Sequence, residues 1–409
     1  MEKFFKVKRR PEMFEKFRLF EKGAIKRLPL TEALNTFLAE DLISPENLPP
    51  APRATMDGYA VRAKDTFGAR ENEPVVLELV GEIKMGEAPL LSLNPGQTVR
   101  IATGGFLPPR ADAVVMLEHA EENQNLVEIK RPAAPHQHTL LPGEDFSEGA
   151  LVFKAGQRIT PAVAGVLAGL GFTEVPVRER PKVGIISTGD ELVPPEEKPP
   201  LGKIRDINSY SLYAATQEAG GIPTLYGIVP DDRTALSTAV EKALAENQVV
   251  LISGGSSVGT RDYTLEIIKN LPESELLCHG LAVRPGKPTI LAKVKNKALF
   301  GLPGQVASAL LIFYVLVRPF LLYLQGAEGE GLLLKRIWAK ASRNIPSVAG
   351  REDFVRVKIT SSPEGPIANP IFKKSGLISS MAEADGFLRI PEEAEGIYQG
   401  EWAEIYLLP

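Results

Sequence analysis

Acidic side chains recur in this chain just after runs of aliphatic residues. Asp190 and Glu191 close Ser187-Thr188-Gly189-Asp190-Glu191, Asp231 and Asp232 follow Pro230, and Asp262 ends the glycine-rich segment that continues from the run before Ser253. The preceding runs have the composition of buried strands, so the acids stand where strands end. Asp190, Glu191, Asp231 and Asp262 gathered in one crevice would repel one another unless a hard cation lay among them. Mg²⁺ held by one or two carboxylates plus ligand phosphates fits that need. Two glycine segments belong to the same set of loops, Ser253-Gly254-Gly255-Ser256-Ser257-Val258-Gly259 and Gly301-Leu302-Pro303-Gly304. The first runs toward a helix that starts near Asp262 and can aim backbone N–H groups at a phosphate. Arg284 and Lys287, in Arg284-Pro285-Gly286-Lys287, supply positive charge for an oxyanion. Taken singly, each feature has a plainer role: Asp231, Asp232 and Asp262 all precede helical patterns, where Asp is a good cap, and Gly254-Gly255 suits an ordinary turn. Their co-location points instead to an Mg²⁺-dependent phosphate-ester or phosphoanhydride site.

The elements that must position these residues lie between 180 and 326. PKVGIIS, IPTLYGIV, QVVLIS, PTILAKV and ALFGL read as strands, and NSYSLYAATQEA, DDRTALSTAVEKALAE and DYTLEIIKNL as helices. That alternation predicts βαβ units in a doubly wound, largely parallel sheet, with ligands outside the carboxyl ends of the strands. Three further parts surround it. Residues 11–44, with Thr31 placed to cap LTEALNTFLAEDL, read as helical, and 148–179 carries a second helix with Thr160 as cap, Pro161 as first residue and Gly171 as stop. Packed back on the first, it would make 45–147 an inserted strand-rich lobe. Residues 327–409 again read as strands, forming a small β-barrel or sandwich. The expected fold class is therefore multidomain α/β, with a helical N-terminal part (11–44 plus 148–179), a strand-rich insertion (45–147), a central sheet domain (180–326) and a C-terminal β-barrel (327–409).

Composition narrows the function. The chain has 409 residues, too many for one ordinary core, and its 44% hydrophobic and 24% charged residues are those of a folded protein. A net charge of −4 gives no basic footprint for nucleic acid. One cysteine, Cys278, excludes an intrachain disulfide and suits a reducing cytoplasm. His136 and His138 lie in a Pro-rich stretch that reads as a solvated loop. The N-terminus lacks the apolar stretch of a signal peptide. The apolar run 306–317 is broken by Arg318-Pro319 and reads as a buried core helix, so no membrane partner is expected.

STGDEL, SGGSSVGTRDY, RPGKP and GLPG stand in the order and spacing of the molybdopterin-binding domain shared by molybdenum-cofactor enzymes, which this region resembles. Ala54-Thr55-Met56-Asp57-Gly58-Tyr59-Ala60, Thr103-Gly104-Gly105 and Gly143-Glu144-Asp145 extend the resemblance to the molybdenum-insertion enzymes and the C-terminal domain of gephyrin, over essentially the whole chain. The resemblance implies an elongated homodimer that transfers molybdate onto adenylylated molybdopterin and releases AMP. It implies Mg²⁺ on Asp190, Glu191, Asp231 and Asp262, and a phosphate cradle from Ser187, Thr188, Gly189, Ser253, Gly254, Gly255, Ser256, Gly259, Gly301, Pro303 and Gly304. Arg284 and Lys287 would draw in the oxyanion, with Arg351 and Ser375 also facing the site. Asp57, Thr103 and Asp145 would reach it across the dimer interface. A molybdopterin adenylyltransferase and acceptor apoenzymes become the implied transient partners. Three positions depart from the family pattern: Gln305-Val306 replaces Asn-Pro, Ser256 replaces Val, and Gly280 stands where a basic residue is frequent. They leave two alternatives, a tungstate-preferring paralogue and a non-catalytic molybdopterin-binding scaffold.

Overall fold

The computed structural model describes residues 7–254 and 263–409. The described residues form two compact units, one from the chain up to 40, 156–160 and 174–409, the other from 41–155 and 161–173. At the centre of the first is a six-stranded sheet in the order Ile222–Val229, Lys182–Thr188, Val249–Ser253, Lys297–Leu302, Ile290–Val294, Ser274–His279. The first four strands pair in parallel and the last two add antiparallel. Val249–Ser253 is buried at every residue, as a parallel strand covered on both faces must be. Alternate residues serve opposite layers: Val183, Ile185, Val249 and Leu251 pack with Leu212 and Ala215, while Ile186, Val250 and Ile252 pack with Leu236 and Val240. The consecutive strands Lys182–Thr188 and Ile222–Val229 build outward in one direction, and Val249–Ser253 lies on the other side of Lys182–Thr188. The strand order therefore reverses between Lys182–Thr188 and Val249–Ser253, where such sheets open a crevice.

The apolar run past Gln305 is the helical stretch Val306–Leu324, long and apolar enough to cross a membrane by length and composition, yet 78% buried within the unit. Its middle turn, Phe313–Val317, is a π-helix. Pro319 follows at once; lacking an N–H and crowding the carbonyl four residues earlier, it accounts for the widened turn. Phe320 meets Phe17, Phe20 and Phe300 edge-on at centroid distances of 5.1, 4.9 and 5.5 Å, tying the N-terminal segment to the sheet.

The helix expected over 31–44 does not form. Among the described residues up to 44 there is one α-helix, Arg10–Lys16, and Leu30–Glu32 is only a 3₁₀ turn that leaves Thr31 without a helix to cap. Asn35 and Leu38 give their N–H groups to the carbonyls of Ile159 and Gln157, and Ala39 to Pro176. Phe37 is buried against Leu322 and Ala327. Pairing and burial outweigh a helix propensity of a few tenths of a kcal/mol per residue, roughly.

Residues 336–407 close a five-stranded barrel: Glu352–Ser362 pairs with Gly365–Pro370 and Gly386–Ile390, and Arg336–Ala341 and Trp402–Leu407 complete the ring. The second unit is built on the sheet Ala113–Met116, Gly58–Val61, Gln97–Ile101, Val75–Ile83, Leu126–Ile129, Ala120–Asn123, and includes the helix Pro161–Gly169 that begins at the expected proline.

Cys278 is 2% exposed, and burial pushes its thiol up to about 12. Its reaction with a disulfide reagent at pH 8 is therefore expected to be absent in the folded protein and complete in denaturant. Rapid labelling without denaturant would contradict that burial.

Candidate active site

The carboxyl ends of Lys182–Thr188 and Val249–Ser253 open into a cleft of about 1300 Å³. Beneath it lies a buried polar hub. The Ser187 hydroxyl lies 3.0 Å from Asp206 Oδ1, 2.9 Å from Ser209 Oγ and 3.1 Å from Ser253 Oγ. One hydroxyl has one proton, which goes to the carboxylate, so Ser209 and Ser253 donate to Ser187. Asp206 Oδ1 also accepts the Ser209 N–H at 3.1 Å, fixing the start of the helix Asn208–Glu218.

On one wall, Thr188 Oγ1 donates to Asp231 Oδ1 at 2.8 Å, and the Asp231 N–H donates to Asp190 Oδ1 at 3.1 Å. Lys203 Nζ holds the Asp190 carbonyl. These contacts separate two adjacent acids that look alike in the sequence. Asp232 is the helix cap, accepting the Ala235 N–H at 2.9 Å, whereas Asp231 belongs to the cleft. Gly254 is required here: its φ is +104°, and a Cβ would fall 2.1 Å from the Thr188 carbonyl oxygen. Among the described residues no three acidic, histidine or cysteine side chains form a metal cage. The hard oxygen set of Asp190, Asp231 and Thr188 still fits Mg²⁺, which takes one or two protein carboxylates and completes its shell with ligand phosphates and water.

The opposite wall is cationic. Arg284, Lys287 and Arg351 all line the cleft. Arg284 Nη1 lies 3.3 Å from Asp353 Oδ2, and Arg351 Nε 3.0 Å from Asp353 Oδ1. Gln305 also lines the cleft; its Oε1 accepts the Ser375 hydroxyl, and Ser375 takes the Ala307 N–H on its carbonyl at 3.1 Å.

Thr188, Gly189, Asp190, Glu191, Asp231, Ser253, Gly254, Pro303, Gly304 and the three cations are thus brought to one cleft. Ser187 lies under it, fully buried; Gly301 is within a strand; Ser375 reaches the wall through Gln305. Gly255, Ser256, Gly259 and Asp262 lie outside the described residues. In the second unit, Asp57 Oδ1 accepts the Thr103 N–H at 2.7 Å, and this bond holds the Asp57 carboxyl below its usual range. Asp145 is exposed there, its N–H on the Leu48 carbonyl at 3.0 Å. Sequence reasoning missed Asp206, Asn208 and Asp353. Asp206 carries a usable signal, an Asp three residues before Ser209 at a helix start. Asn208, whose Nδ2 donates to the Gly304 carbonyl at 2.9 Å, carries none.

Family models match along the chain in order: the MoeA N-terminal region (domain I and II) over residues 8–171, a probable molybdopterin binding domain over 184–323, and the MoeA C-terminal region (domain IV) over 338–408. A putative molybdopterin biosynthesis protein of Methanocaldococcus jannaschii is 38% identical, covering 97% of this chain and 96% of its own. The chain belongs to the MoeA family. A molybdopterin molybdenumtransferase of Bacillus subtilis is 32% identical over 95% of this chain and 91% of its own. The MoeA protein of Pyrococcus horikoshii OT3 superposes with a TM-score of 0.84 at 33% identity, covering 98% of this chain and 100% of its own. Against the family pattern, Gln305 falls on the cleft wall, but Gly280 does not; it is buried at φ +98°.

Proposed function

We propose that the protein is a molybdopterin molybdenumtransferase that places molybdate on the dithiolene of adenylylated molybdopterin and releases AMP. The observation that carries this reading is one cleft with acids on one wall and cations on the other. A phosphoanhydride with its metal needs the first; a tetrahedral dianion needs the second. Asp190 and Asp231 would hold Mg²⁺, with Glu191 and, by sequence, Asp262 completing the set. When bound, the ion supplies neutralisation of the charge on the phosphoanhydride. The backbone of Gly189, Gly254 and Gly304 borders the space for the pterin phosphate, Arg284, Lys287 and Arg351 receive the oxyanion, and Ser375 supports that wall through Gln305. Glu191 is assigned the proton of the water that attacks phosphorus as the bridging P–O bond breaks.

Asp57, Thr103 and Asp145 are assigned to the site of a partner subunit in a homodimer, with the four-part division at 11–44 plus 148–179, 45–147, 180–326 and 327–409. The adenylyltransferase and the acceptor apoenzymes would meet the protein transiently, in a cytoplasm whose reducing conditions suit its single buried thiol.

AMP release from adenylylated molybdopterin with Mg²⁺, measured with and without molybdate or tungstate, tests the reading. Oxyanion-dependent release is expected, and the preferred anion states whether Gln305 accompanies a change of metal. Tight binding without release would replace the enzyme with a scaffold.

A further inference from the structure

We propose that Asp353 is the positioning residue that aims Arg284 and Arg351 at the oxyanion. The proposal rests on the reading of the cleft as an oxyanion site and adds the group that sets its geometry. Val283–Arg284 pairs in parallel with the first two residues of the barrel strand Glu352–Ser362, which puts Arg284 directly in register with Asp353. Arg351 precedes Asp353 by two residues. One carboxylate thereby holds two guanidinium groups, at 3.3 and 3.0 Å, one from the loop of the central sheet and one from the barrel. The Asp353 side chain is 5% exposed, against 58% for Arg284 and 35% for Arg351, so the acid lies behind the two cations.

Two long cations brought together without this carboxylate would repel and disperse over many rotamers. The bond to Asp353 takes one N–H from each fork, and a fixed guanidinium offers its remaining donors in a defined plane. Arg284 and Arg351 against the single Asp353 carboxylate leave one formal positive charge at this contact, available to an anion. The neighbouring Glu352 turns away to Arg10 and Arg389, which anchors the strand that presents Asp353.

Positioning and simple electrostatics make opposite forecasts. Removing the carboxylate charge makes the wall more positive, so Coulomb attraction alone would tighten anion binding. Loss of aim loosens it. Calorimetric titration of the full chain with molybdate and with tungstate decides. Asp353→Asn is expected to weaken both by about tenfold or more, the size of a charge-assisted contact. In an Arg351→Gln background the same change is expected to weaken binding by less than about threefold, because one of the two groups it acts through is already gone. Asp353→Glu, which keeps the charge and displaces it by one methylene, should also loosen binding, and it carries the test if the Asn variant does not fold. Unchanged or tighter binding by either variant overturns the proposal, as does an equal loss in the Arg351→Gln background. Absence of oxyanion binding by the unaltered protein overturns the insertion reading and this proposal with it.

Discussion

Asp231→Asn is expected to lower oxyanion-dependent AMP release by on the order of 10²-fold or more, the scale of removing one preorganised electrostatic group. Its fold should survive. Asn retains an oxygen for the Thr188 hydroxyl, and its backbone N–H stays on Asp190, so both observed contacts persist while the negative charge is lost. The neighbouring acid is the internal control. Asp232 caps the helix Arg233–Glu246, so Asp232→Ala should lower stability by about 1 kcal/mol and leave the rate within about twofold. Rates at saturating Mg²⁺ and thermal melts on both variants separate the roles. A full rate in Asp231→Asn would remove that residue from the chemistry, and a lost rate in Asp232→Ala would mean that the cap, not the charge, supports the site.

That pair shows how far the sequence carries. The alternation of strands and helices from 180 to 326 was legible because each element spans a whole unit of burial: a five-residue apolar strand such as Val249–Ser253 has no solvent face, and its neighbours repeat the pattern. From that sheet followed the crevice and most of its wall. Which of two consecutive aspartates caps and which faces the cleft depends on a turn of the backbone, invisible in composition. Asp353 was hidden for another reason. Its partner Arg284 is 69 residues away, and only the register between a loop and a barrel strand joins them. The misread segment 31–44 failed in the opposite direction. Its local preference is helical, but Phe37 and Leu38 gain more from burial and from the carbonyls at 157–159 than a short isolated helix can offer.

The largest effect on stability is expected at Glu352. Arg10 grips it through Nε at 2.8 Å and Nη2 at 2.9 Å, and Arg389 Nε adds a third bond at 2.6 Å. Glu352 and Arg10 are 6% and 7% exposed, and the Arg10 guanidinium lies within 5.8 Å of the rings of Phe14, Phe354 and Tyr406. Taking these charges from water is unfavourable in itself, so the pair is tolerable only while both members are present. Glu352→Gln leaves the buried Arg10 charge uncompensated and should destabilise the protein by about 3–5 kcal/mol. Replacing both by apolar residues, Arg10→Met with Glu352→Leu, should recover much of that loss, since Arg389 keeps Glu404 at 3.2 Å. Acid titration gives an independent reading. Burial pushes the Glu352 carboxyl up, but the hydrogen bonds and charges of Arg10 and Arg389 outweigh it and hold the group below its usual range. A depressed value in the folded state means that the contribution is complete above the unfolded value of about 4.3 and fades as pH falls through the folded one. Stability of the unaltered protein should therefore drop steeply below about pH 4, and Glu352→Gln should flatten that limb. Denaturant melts at pH 7 and across the acid range measure both, and a Glu352→Gln variant as stable as its parent at pH 7 would show that this buried pair holds nothing together.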